Sequence, residues 1–92
     1  MTYSMFPQLL KTYRAAYPIS QLQLSYKAGL DNSLISRLEA GTREPSRVTV
    51  RALSIALELD PNQADKLLVT AGFLPRQAHI LALIEEALQD GQ

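Results

Sequence analysis

Residues 20–46 read SQLQLSYKAGLDNSLISRLEAGTREPS, and their spacing decides the fold. Ser20 suits the N-cap of a helix beginning at Gln21, because its hydroxyl can accept from a first-turn N–H group. That helix carries Leu22, Leu24 and Ala28 and stops at Gly29, which enters the left-handed region without a Cβ clash. Asp31 caps a second short helix with Leu34, Ile35 and Leu38 on its apolar side, ended by Gly41. Counted from Gln21, the fourth, eighth, tenth, fifteenth and eighteenth positions are Leu24, Ala28, Leu30, Ile35 and Leu38. All are apolar, as two helices crossing on one core require, and the fifth, Ser25, is small enough to let them approach.

Outward from this stretch the three-and-four spacing of apolar residues continues, so the chain reads as all-α, with five or six helices and no strands. Before it, Phe6, Leu9, Leu10, Tyr13, Ala16 and Tyr17 share one helical face, with Ser4 as cap, Pro7 in the first turn and Pro18 as terminator. After it, Ser46 caps a helix buried through Val50, Leu53, Ala56 and Leu57. Asp60-Pro61 opens the next, buried through Ala64, Leu67, Leu68 and Ala71 and closed by Gly72-Phe73. Pro75 opens a last helix over about 76–90, where Ile80, Leu81, Leu83, Ile84, Ala87 and Leu88 span an arc of about 160° at 100° per residue. That is wider than a minimal core stripe.

The 92 residues, 47% of them hydrophobic, make one domain over 1–92, with a core at 4–59 and a helical extension at 60–92. Zero Cys excludes disulfides, thiolate chemistry and Cys-based metal sites, and the single His79 excludes His-rich ones. No Gly-rich phosphate loop and no nucleophile-base arrangement is present, so neither a cofactor nor an enzymatic function is expected. Tyr3, Tyr13, Tyr17 and Tyr26 are too scattered for a base-stacking platform. The N-terminus MTYSMFPQLLKTYR lacks a signal-peptide pattern and no apolar run suits a membrane span; the expectation is a cytoplasmic protein.

Nine basic and nine acidic residues give a formal net charge of zero, which argues against a phosphate-rich partner until the chain is divided at Asp60. Residues 1–59 hold seven Lys or Arg against four Asp or Glu, and residues 60–92 hold two against five. The neutral total therefore hides a +3 front and a −3 rear, which can offer phosphates a basic end and keep an acidic end away.

Two short helices about a glycine turn form a helix-turn-helix unit. The residues Ser20-Gln21, Leu24, Lys27-Ala28-Gly29, Ile35-Ser36-Arg37-Leu38-Glu39, Gly41 and Pro45-Ser46 further resemble the lambda-repressor and Cro-like family, which includes the Xre-type regulators. The resemblance spans roughly residues 6–60. It implies a sequence-specific binder of double-stranded DNA, most simply a repressor, whose second helix enters the major groove. Asn32, Ser33, Ser36 and Arg37 project opposite Leu34, Ile35 and Leu38 and would read bases. Gln21, Thr42, Arg43, Ser46 and Arg47 would hold phosphates. The resemblance also implies an internal ion pair between Arg14 and Glu39.

Two positions depart from the family pattern. Asp31 replaces the usual Ser or Thr and is read as a cap that could otherwise accept from cytosine N4, and Glu44 replaces a position often basic. One recognition helix covers few base pairs, so a homodimer on two half-sites is implied, with Ile80, Leu81, Leu83, Ile84 and Leu88 as its candidate interface. The alternatives are a protein-interaction module on the same fold, and an antitoxin-like regulator whose last helix holds a partner protein.

Overall fold

In the computed structural model, which describes residues 5–74 and 84–88, the described residues are helical with short connections and no strands. The element order is α1 (Met5–Ala16), α2 (Gln21–Ala28), α3 (Asn32–Ala40), α4 (Arg47–Ala56) and α5 (Pro61–Thr70). Residues 84–88 are also helical. The expected cap Ser4, the opening Pro75 and His79, Ile80, Leu81 and Leu83 lie outside the described residues.

Side-chain caps set the starts of four helices. Ser20 accepts from the Gln23 N–H at 3.0 Å while the Gln23 side chain accepts from the Ser20 N–H at 3.1 Å. This reciprocal box satisfies two donors that a helix start otherwise leaves orphaned. Asp60 and Gln63 form the same box at α5, and Ser46 caps α4 through the Thr49 N–H. At the other ends, Gly29 and Gly41 close α2 and α3 at φ of 69° and 78°. No heavy atom lies within 4 Å of a Cβ built on Gly29, so the demand for glycine there is conformational and not steric crowding.

Phe6, Leu10, Leu24, Ile35, Leu38, Val50, Leu53, Ala56, Leu57 and Leu67 form one buried cluster. Helix α3 packs on α1 and α2, α4 on α2 and α5, and α1 on α5. Ser25 is buried at the α2 crossing, where its hydroxyl donates to the Leu22 carbonyl at 2.6 Å. The core runs past residue 59: Leu67 of α5 is fully buried, and Leu68, Ala71 and Phe73 pack against the cluster.

On α2, Leu22 is 48% exposed, because a residue two positions before Leu24 points to the opposite side of a helix. Two apolar assignments on α1 need correction. Ala16 and Tyr17 are exposed as well, since α1 ends at Ala16 and the chain turns at Pro18 before it can return to the core.

Candidate nucleic-acid interface

Helix α3 is built with two unlike faces. Ile35 and Leu38 are fully buried, whereas Asn32, Ser33, Ser36 and Arg37 are exposed on the opposite side, where Ala40 continues the face. The side chains of Asn32, Ser36 and Arg37 make no hydrogen bond or ion pair among the described residues. Ser33 is engaged locally: its Oγ–H donates to Asp31 Oδ2 at 2.9 Å, and its N–H donates to Asp31 Oδ1 at 3.3 Å. Asp31 is thus the α3 cap, with its charge next to the positive end of the helix.

Behind this face, Glu39 ties three helices together. The residue is buried, and its carboxylate accepts from Arg14 Nε at 2.5 Å, from Arg14 Nη2 at 2.9 Å and from Gln21 Nε2 at 2.9 Å. Arg14 Nη1 also donates to the Ile19 carbonyl at 3.0 Å. The hydrogen bonds to Glu39 raise the Arg14 pKa above its ordinary value, against the opposing effect of desolvation. Arg14 therefore fixes the end of α1, and Gln21 the start of α2, against the end of α3. Gln21 keeps its second amide hydrogen for another acceptor.

The remaining expected phosphate residues divide into two groups. Arg43 is exposed and its guanidinium has no partner among the described residues, and Thr42 is exposed with only a long 3.4 Å bond from its hydroxyl to the Arg37 carbonyl. Ser46 and Arg47 are engaged elsewhere. Ser46 Oγ accepts from Thr49 N–H at 3.1 Å and donates to Thr49 Oγ1 at 2.9 Å. Arg47 Nη2 donates to the Leu74 carbonyl at 3.0 Å with its guanidinium 5.2 Å from the Phe73 ring centre. Glu44 is exposed beside Arg43.

A cluster absent from the sequence reading joins the end of α1, α2 and the end of α4. Tyr17 donates to Glu58 at 2.7 Å, and Lys27 donates to Glu58 at 2.9 Å and to the Tyr17 hydroxyl. Lys27 Nζ also lies 4.1 Å from the Tyr17 ring centre. Glu58 occupies the left-handed region at φ 53°, a signal visible only in the backbone. No group of three or more candidate ligands gathers into a metal site among the described residues, and no helix there is long and apolar enough to cross a membrane.

Two short helices joined at Gly29, a polar outward face on the second and a clamp behind it define the helix-turn-helix class. The helix-turn-helix family model matches residues 10–63, more than half of the chain, and the chain belongs to that family, the Xre and lambda-repressor-like group. It is also 39% identical over 64 residues to a protein of Sinorhizobium fredii (strain NBRC 101917 / NGR234) named "Uncharacterized HTH-type transcriptional regulator y4dL". The match covers 70% of this chain and 33% of that protein, so the chain spans about a third of the relative's length. No solved structure matches the chain significantly.

Proposed function

We propose that this chain is a sequence-specific double-stranded DNA-binding transcription regulator that acts as a repressor by occupying a pseudo-palindromic operator as a homodimer. The observation that carries this reading is the outer face of α3: Asn32, Ser36 and Arg37 are exposed with unspent donors and acceptors, on a helix whose other face is locked in the core. Asn pairs bidentately with adenine, Arg with guanine O6 and N7, and Ser with either kind of edge. Gln21, Thr42 and Arg43 supply phosphate contacts at the flanks, and the helix-turn-helix family membership and the relative's printed name support the same class. The mechanism is steric occupancy and involves no bond chemistry.

Selection of bound duplexes from a random pool at two salt concentrations tests this. A pseudo-palindrome should be enriched, and Arg37→Ala should relax preference at one position of each half-site. No enriched motif at low salt would refute the reading.

A protein partner is the second reading, favoured by the outer side of α4. Val48 and Ile55 are 78% and 66% exposed there, on either side of Arg51 at helical spacing. They border a groove of about 430 Å³ lined by Val48, Arg51, Ser54, Ala64 and Leu68, and its adjoining continuation past Ile55 and Leu59. An antitoxin-like regulator would use such a surface, or the last helix, while α3 binds DNA.

A further inference from the structure

We propose that the start of α3 selects a base that shows an amino group in the major groove, cytosine or adenine, because Asp31 takes up the one hydrogen that the Ser33 hydroxyl can donate. The inference rests on the operator-binding reading and adds a chemical polarity to one position of the site.

A serine hydroxyl has a single O–H donor and two acceptor lone pairs, and a serine on a recognition helix ordinarily accepts or donates according to the base it meets. Ser33 lacks that freedom. Its Oγ–H points to Asp31 Oδ2 at 2.9 Å, and the other carboxylate oxygen is positioned by the Ser33 N–H at 3.3 Å. A hydrogen bond from a hydroxyl to a carboxylate is charge-assisted and about twice as strong as one between neutral groups, so a neutral base acceptor competes poorly for that hydrogen. The carboxylate is itself acceptor-only and is favoured where it stands by the positive end of α3. Both residues are exposed. Together they present lone pairs and negative charge to whatever faces them.

The four bases answer that surface differently in the major groove. Cytosine offers its N4 amino group and adenine its N6 amino group beside the N7 acceptor, whereas guanine offers only the acceptors O6 and N7 and thymine only the acceptor O4. Lone pairs on Ser33 therefore attract the amino bases and repel guanine and thymine. The Asp31 charge, unfavourable beside phosphates in general, becomes a means of excluding two of four bases.

The test is duplex selection from a random pool with the full chain, Asp31→Ser and Ser33→Ala. Asp31→Ser retains a capping hydroxyl and removes the charge, and thermal melting checks that each variant is folded. The wild type should enrich cytosine or adenine over guanine and thymine by about tenfold at one position of each half-site. Both variants should lose that enrichment there and keep the rest of the motif. Persistence of the enrichment in Asp31→Ser overturns the proposal. So does its persistence in Ser33→Ala, which would make Asp31 the direct reader, and so does a motif altered at every position. A wild-type chain that enriches no motif refutes operator binding itself and the proposal with it, a result distinct from a motif that ignores both substitutions.

Discussion

Arg14 of α1 and Glu39 of α3 meet in a two-pronged ion pair, Nε to Oε2 at 2.5 Å and Nη2 to Oε1 at 2.9 Å. Their environments are unequal: the Glu39 side chain is 2% exposed and that of Arg14 is 22% exposed. The consequence is an asymmetry between the two truncations. Arg14→Ala strands a buried carboxylate whose one remaining partner among the described residues is the Gln21 amide, and should cost about 3–5 kcal/mol. Glu39→Ala strands a guanidinium that water reaches in part and that keeps the Ile19 carbonyl, so its cost should be nearer 1–3 kcal/mol. Urea unfolding of the two variants checks the order. A Glu39→Ala loss equal to or larger than that of Arg14→Ala would contradict this account of the clamp.

The two arginines after α3 should separate cleanly in DNA binding. Arg43 is exposed with an unengaged guanidinium, whereas Arg47 is held by the Leu74 carbonyl and the Phe73 ring. Arg43→Ala should weaken binding across all sequences and reduce the slope of log affinity against log salt by about one. Arg47→Ala should lower thermal stability by about 1 kcal/mol and leave the salt slope in place. Binding isotherms over a salt series, with melting curves beside them, check both. A flattened slope in Arg47→Ala would return that residue to the phosphate contacts.

The contrast between Arg43 and Arg47 shows where sequence reading reaches its limit. Ser20, Asp31, Ser46 and Asp60 are legible as caps because a cap is a local event, one side chain and an N–H two or three residues away. The two faces of α3 are legible because Ile35 and Leu38 fix the inward side and the helical period fixes the rest. Helix α2 has eight residues, too few to define a stripe, so its apolar residues alone do not say that Leu24 faces inward and Leu22 outward. The bond from Gln21 to Glu39 spans 18 positions and that from Tyr17 to Glu58 spans 41, and no local pattern encodes either. Arg47 reads as a loop charge until Phe73 and Leu74 fold back onto it.

Acid should loosen the contact between α2 and the end of α4. The bonds from Lys27, and then from Tyr17, hold the Glu58 carboxyl below its ordinary value; the Tyr17 and Glu58 partners hold Lys27 above its own. A carboxyl with a depressed folded-state pKa stabilises the protein above its unfolded value, about 4.3, and loses that contribution as pH falls through the folded value. Glu58→Gln should therefore melt below the wild type at pH 7, with the gap closing as pH drops past about 4.3. The Glu58 side chain is 69% exposed, so the gap should be small and shrink further in high salt. A gap unchanged from pH 7 to the acid limb would mean that the cluster contributes no linked stability.

Homodimerisation through the last helix can be tested at Ile84. This residue is helical and 49% exposed, with Glu85 and Glu86 exposed beside it. An apolar side chain so exposed on a helix with an acidic flank is suited to burial against a second copy and adds little to the fold of residues 5–74. Ile84→Asp in the full chain should preserve the helical spectrum and the melting of the core, shift the concentration-dependent mass from dimer toward monomer, and weaken binding to a two-half-site operator far more than to a single half-site. The last comparison is the decisive one, because a dimer gains its affinity by placing two α3 helices one DNA turn apart. Equal loss on both operators, or no change in mass, would place the interface elsewhere, and the exposed Val48 and Ile55 of α4 would be the next surface to substitute.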